Sequence, residues 1–193
     1  MNAPWPDDLD GVLDRALDLV VAGARERRSG FHTCQLGTIG LDGAPMVRTV
    51  VLRDFEPATW RARVHTDRRS PKVAELARDP RMTLHLYDPA LAVQLRLSGI
   101  ARVETDGPEA DAAWAATRAF SRVCYRLDPS PGDPVAAPEM GFPRRDATDP
   151  EDGRAAFAIL RVEATTIDWL WLNHAGHRRA RFARDGAAGW LVP

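Results

Sequence analysis

Lysine is all but missing from this chain: Lys72 is its only one, and 25 of the 26 basic residues are arginine. Genome base composition accounts for an arginine excess, and it leaves open why one position kept a lysine. Cysteine is scarce too. Cys34 and Cys124 stand far apart, with no CxxC, zinc-ribbon or disulfide-framework spacing, so both read as reduced, small apolar fillers. No stretch approaches the roughly 18 uninterrupted apolar residues of a membrane span. The acidic start MNAPWPDDLDGVLDR lacks the basic region and apolar run of a signal peptide, which makes the cytoplasm the expected compartment. Excess charge of either sign is also absent. The 26 basic residues face 27 acidic ones, a balance that argues against a nucleic-acid or anionic-membrane footprint.

What remains is an ordinary globular composition, 45% hydrophobic and 27% charged over 193 residues, enough for one domain with its own core. Leu9, Leu13, Leu17, Val20, Val21 and Ala24 recur at helical spacing, predicting an amphipathic helix over 7–28 with Asp7 or Asp8 as cap and Gly30 as stop. The period then changes. Phe31–Gly40 and Met46–Leu52 read as a hairpin around Leu41-Asp42-Gly43-Ala44, followed by a strand through Trp60–Thr66 and a short helix over Arg68–Asp79. Met82, Leu84 and Leu86 alternate with Thr83, His85 and Tyr87, and Val93, Leu95 and Leu97 alternate with Gln94 and Arg96, giving two further strands.

Pro108–Tyr125 reads as a second long helix, with Trp114, Arg118 and Arg122 on one stripe. Residues 127–153 hold six of the 15 prolines and read as one irregular excursion. Phe157–Val162, Ile167–Leu172 and Arg178–Phe182 are three more strands, with Asp185-Gly186 as the last turn. Six or seven short strands without strict β-α-β alternation predict a mainly β fold, an antiparallel β-barrel with flanking helices, over residues 1–193 as a single domain.

Three constellations carry chemistry. Arg68-Arg69-Ser70-Pro71-Lys72 follows a strand and opens a helix, with Ser70 at the N-cap position and Pro71 at the first helical position. A helix N-terminus flanked by a hydroxyl, two arginines and the lone lysine is suited to a phosphate; the competing reading is an ordinary capped helix with solvated charges. In Arg48-Thr49-Val50-Val51-Leu52-Arg53 two guanidiniums bracket an apolar strand, and alternation places them on opposite faces unless a bulge intervenes. Near the C-terminus, Trp169 and Trp171 share a strand face beside His174, His177 and Arg178, Arg179 and Arg181. They wall a planar ligand or belong to the core. His174-Ala175-Gly176-His177 has no carboxylate or thiol at ligand spacing, so no metal is expected, and no serine sits in a GxSxG context.

Taken in order, these pieces resemble the pyridoxamine 5'-phosphate oxidase family, whose members carry FMN in a split β-barrel of antiparallel Greek-key type. The family's opening motif, an arginine, four mostly apolar residues and a basic residue, is matched by Arg48, Thr49, Val50, Val51, Leu52 and Arg53, with arginine where the family oxidases use lysine. Its next motif, an aromatic-Thr-Asn followed by Ser-Arg-Lys, is matched by His65-Thr66-Asp67 and Ser70-Pro71-Lys72, with proline in place of the arginine. Gln94 stands at the flavin-facing glutamine, and Trp169, His177 and Arg179 at the C-terminal tryptophan and His-x-Arg. The resemblance spans roughly residues 31–193.

It implies FMN as cofactor, with Lys72, Ser70, Arg48 and Arg179 neutralising the phosphate, Thr66 and Gln94 bonding the ribityl chain or ring, and Trp169 packing near it. It implies a homodimer with each FMN at the subunit interface, and a small-molecule substrate met by Arg53, Trp114, Arg118, Arg122 and His177. Two departures stand out: Ala175 replaces a substrate-gripping arginine, and the usual Arg-Leu-x-Pro terminus is Trp190-Leu191-Val192-Pro193. The segment from Arg122 and Tyr125 to Pro129-Ser130-Pro131-Gly132 is similar to the oxidase-related branch rather than the vitamin B6 enzyme. The expected activity is FMN-dependent oxidation of a small two-electron donor; the alternative is a non-catalytic flavin or haem binder on the same fold.

Overall fold

The computed structural model describes residues 5–144 and 149–193. Helix α1 (Leu9–Arg25) is capped by Asp8, whose side chain accepts from the Gly11 N–H at 2.7 Å, and it buries Val12, Ala16 and Val20. It ends earlier than the sequence pattern predicts. Gly30 is not its stop: a Cβ there would lie 2.7 Å from the Asp88 side chain, so this glycine serves a close approach between segments.

The strands are β1 (Thr33–Ile39), β2 (Pro45–Glu56), β3 (Arg61–Asp67), β4 (Arg81–Asp88), β5 (Val93–Glu104), β6 (Phe157–Trp171), β7 (Arg178–Ala183) and β8 (Ala188–Leu191). They run in the order β3-β2-β1-β4-β5-β6-β7-β8, all pairs antiparallel, and an additional β3–β6 pairing closes the first six into a barrel. The placement of β4 beside β1 makes β1–β4 a Greek key. Alternation sends Leu36, Leu52, Val64, Leu84, Leu95 and Leu97 inward, where each is essentially without solvent contact.

Three expectations need correction. The two strands expected over Phe157–Val162 and Ile167–Leu172 are one strand, β6. Ser98 pairs with Thr166 and Gly99 with Ala164, so Thr165 is bulged out and the strand continues instead of ending at Val162. The strand β8, beyond the Asp185-Gly186 turn, was not anticipated.

The third correction concerns the expected helix over Pro108–Tyr125, which is broken into α3 (Pro108–Ala116), α4 (Ala119–Arg122) and a 3-10 turn at Val123–Tyr125. Thr117 and Arg118 are extended between them. The break lets Arg122 fold back: its guanidinium donates to the carbonyls of Trp114 (2.8 Å), Ala115 (3.1 Å) and Thr117 (3.0 Å) and lies over the Trp114 ring. A cation at a helix C-terminus satisfies carbonyls that have no partner within the helix.

Trp114, Tyr125 and Phe157 then form a small aromatic cluster beneath the excursion. Of the excursion itself, 145–148 lie outside the described residues; the rest is irregular apart from a 3-10 turn at Pro138–Gly141 and is tied down where Arg69 donates to the Leu127 carbonyl at 2.9 Å.

Candidate cofactor site

The N-terminus of helix α2 (Pro71–Arg78) is built as the sequence suggests, with Ser70 at the N-cap and Pro71 at the first helical position. The Ser70 hydroxyl makes no capping bond. It turns instead to the Lys72 ammonium, whose Nζ donates to Ser70 Oγ at 2.8 Å and to Thr66 Oγ1 at 3.0 Å. Both hydroxyl residues are buried. Among the described residues no carboxylate lies within ion-pair distance of Lys72, and burial, followed by the charge of Arg48, holds its pKa below the ordinary lysine value. A half-buried ammonium backed by two hydroxyls and short of a counter-anion is a receptor for an anion. Arg69, by contrast, turns away, held at 2.7 Å by Asp67.

Arg48 and Arg53 both reach the pocket of about 300 Å³ that Lys72, Thr66, His65 and Tyr125 line. A shift of register between Leu52 and Asp54 supplies the bulge that simple alternation lacked. Arg48 is held from below by Glu75, a buried carboxylate of α2 at 2.6 Å that also accepts from the Thr38 hydroxyl at 2.5 Å. His65 packs edge-on against Phe157, and its buried Nε2 has no hydrogen-bond partner among the described residues. Burial, then the charges of Arg53 and Arg63, lower its pKa to about 3, so the ring is neutral at physiological pH.

A second pocket of about 500 Å³ shares Val51, Arg53 and His65 with the first and extends to Arg118 and Ser121. Arg118 therefore lines the same pocket as Arg53. Trp114 and Arg122 are not in that lining: the indole is buried, and the Arg122 donors are committed to backbone carbonyls.

Gln94 and Arg179 sit elsewhere, on the outer face of β5 and β7. Gln94 meets His85 Nε2 at 3.0 Å, and His85 Nδ1 meets Gln35 at 3.0 Å, a chain across β5, β4 and β1 that fixes the Gln94 amide. Arg179 donates to Asp168 at 3.0 Å, and the same carboxylate takes Arg96 and Arg181. Burial opposes ionisation of Asp168, but hydrogen bonds from Arg179 and Arg96 outweigh it and leave the pKa lowered. His177 lines a third, separate pocket of about 360 Å³ with Arg179, and its Nδ1 accepts from the Asn173 N–H.

Trp169 corrects the expectation of a cofactor contact. It is fully buried between Trp5 and Trp190, on the inward face of β6. The outward residue at that level is Leu170, paired in register with Gln94 on one side and Arg179 on the other.

Glu75, His85 and Asp168 escaped the sequence reading. Glu75 is the only acid in α2, and His85 falls on the polar side of the β4 alternation, so a faint signal existed for both. Among the described residues no cluster of three His, Cys, Asp or Glu is arranged to hold a metal.

Comparison with known proteins gives this geometry a context. The family profile of the pyridoxamine 5'-phosphate oxidase FMN-binding domain matches residues 3–105. Pyridoxine/pyridoxamine 5'-phosphate oxidase 2 of Arabidopsis thaliana is 31% identical over 89% of this chain and 84% of its own. Pyridoxine/pyridoxamine 5'-phosphate oxidase of Alkalilimnicola ehrlichii is 33% identical over 55% of this chain and 54% of its own. Among solved structures, a pyridoxamine 5'-phosphate oxidase-related, FMN binding protein from Nostoc punctiforme superposes with a TM-score of 0.76 at 23% identity, covering all of both chains. PhzG from Burkholderia lata, solved with tetrahydrophenazine-1-carboxylic acid, gives a TM-score of 0.71 at 20% identity over 97% of this chain and 94% of its own. These last two establish the fold, a split barrel.

Proposed function

Since this chain belongs to the pyridoxamine 5'-phosphate oxidase FMN-binding family, with FMN as its cofactor, we propose that it is an FMN-dependent oxidoreductase acting on a small two-electron donor. The observation that carries the reading is the Lys72–Ser70–Thr66 constellation at the start of α2, which fits a phosphate in charge, donors and depth. When bound, FMN supplies a ring that accepts two electrons from the donor.

The protein's part is to hold and orient. Lys72 would meet the phosphate with Ser70 and Thr66, while Arg48, fixed by Glu75, adds a second positive charge to the pocket. Arg53 stands between this pocket and its neighbour, placed to touch both ligands. Gln94 and Arg179 line neither pocket, which supports a homodimer in which one subunit brings its clamp to the other's β5–β7 face.

Pyridoxine 5'-phosphate is a poor candidate for the donor. Ala175 offers no charge where the family oxidases place an arginine, and misplacement of a substrate by about 1 Å can cost a hundredfold in rate.

Two measurements on the purified protein test the reading. Its visible spectrum should show the paired flavin bands, and heat should release FMN; release of FAD, or a colourless protein that takes up no FMN, would reject the cofactor reading. Pyridoxal phosphate formation should fall well below about 1 s⁻¹, the low end of ordinary enzymes. Turnover at or above that rate would make the vitamin B6 intermediate the substrate after all.

A further inference from the structure

Gln35, His85 and Gln94 lie across β1, β4 and β5 on the outer face of the barrel, all half-buried. His85 stands opposite Gln35 in register, and its ring engages an amide at each edge, with Nδ1 3.0 Å from Gln35 Oε1 and Nε2 3.0 Å from Gln94 Oε1. Bonded at both edges, the imidazole cannot turn without losing two contacts. With both amide oxygens on the ring, each ring nitrogen donates; in the neutral imidazole, which has one N–H, one of the amides makes a half-turn and donates its NH2 instead. In either case one end of the Gln94 amide is tied to His85. Among the described residues the other end has no hydrogen-bond partner. Gln94 is level with Leu170 and Arg179, its successive neighbours in register on β6 and β7.

We propose that His85 is a positioning residue for cofactor binding, acting through Gln94: it holds the amide in place so that the free end is ready to hydrogen-bond FMN. The proposal rests on the cofactor reading, in which Gln94 belongs to the FMN site. His85 itself lines none of the pockets described above, so its effect passes through the amide it grips. A glutamine alone on a sheet face samples several rotamers, and a ligand that fixes it must offset the entropy lost. A glutamine already held by a ring that is itself held by Gln35 has met that cost before the ligand arrives. The competing reading is a polar contact that serves the sheet alone, and the two differ in whether removing His85 matters once Gln94 is gone.

The test is a double-mutant cycle on FMN affinity, measured by equilibrium dialysis with the full-length parent, His85→Leu, Gln94→Ala and the double variant. His85→Leu is expected to weaken FMN binding about three- to tenfold, the worth of one hydrogen bond between uncharged groups. On the Gln94→Ala background the same substitution should cost less than about twofold, because the residue it acts through is already gone. His85→Gln, whose amide both donates and accepts, should recover most of the parent's affinity. His85→Leu binding FMN like the parent, or losing the same factor on both backgrounds, overturns the proposal. A second readout needs no flavin: in 1H–15N spectra of the full-length protein before FMN is added, the Gln94 side-chain amide signals should move on His85→Leu. Signals that stay in place overturn the positioning role, whatever FMN does. A parent that takes up no FMN while those signals move removes the cofactor reading alone and leaves the hold of His85 on Gln94 standing.

Discussion

At Lys72 an ammonium is kept half-buried with two hydroxyls and, among the described residues, no carboxylate in ion-pair reach, and this has consequences for both affinity and pH. A charge-assisted contact to phosphate contributes on the order of 1.5–3 kcal/mol. Lys72→Ala should therefore weaken FMN binding about ten- to a hundredfold while leaving the unfolding midpoint near that of the parent, and equilibrium dialysis against FMN measures it. The pH dependence follows in sign. Burial and Arg48 lower the Lys72 pKa in the free protein, and a bound phosphate would raise it again, so binding favours the protonated form. Affinity should hold steady below the lowered pKa and fall as pH rises through it, earlier than an ordinary lysine would allow; Lys72→Ala should abolish that alkaline fall. An affinity indifferent to the substitution would place the phosphate elsewhere.

This part of the site was legible because Ser70, Pro71 and Lys72 are neighbours in the chain and a helix start dictates where they point. Trp169 was not, because the pattern says that Trp169 and Trp171 share a face but not which face. Register decides that: Ile167 pairs with the inward Leu97, and Trp169 follows it into the core.

Among elements, the pair β5 and β6 shows why strand limits resist a reading by pattern alone. The pattern ends one strand at Val162 and begins another at Ile167, yet β6 runs through 163–166 because Thr165 is bulged out opposite Ser98/Gly99. A Cβ on Gly99 would sit 2.0 Å from the Glu163 carbonyl oxygen, a backbone atom held in the ladder. Gly99→Ala should consequently lower stability by about 1–3 kcal/mol, the usual cost of forcing atoms into filled space. Urea unfolding monitored by circular dichroism would show it as a lower midpoint; an unshifted midpoint would mean that the bulge yields freely. The break between α3 and α4 was hidden for a related reason. Helical spacing of Trp114, Arg118 and Arg122 is genuine, but the contact between Trp114 and Arg122 is made by folding back, which an alanine-rich stretch does not announce.

For the whole molecule, the candidate residues fall into two sets that share none of the pockets described above: Lys72, Ser70, Thr66 and Arg48 around the start of α2, and Gln94 and Arg179 on the outer face of β5–β7. If one FMN needs both, two chains must supply them, and defects in the two sets should complement one another. Lys72→Ala and Arg179→Ala homodimers each carry a lesion in both of their sites and should retain little FMN. Unfolding and refolding an equal mixture places the two lesions in the same site of a mixed dimer and leaves its other site intact. With random pairing, half the dimers are mixed and half their sites are whole, so FMN binding should return to about a quarter of the parent's capacity. A site built within one chain predicts no recovery at all, because every chain in the mixture carries a lesion. Titrating FMN into the refolded mixture and into each variant alone distinguishes these outcomes, and analytical ultracentrifugation of the parent should show the dimer on which the recovery depends.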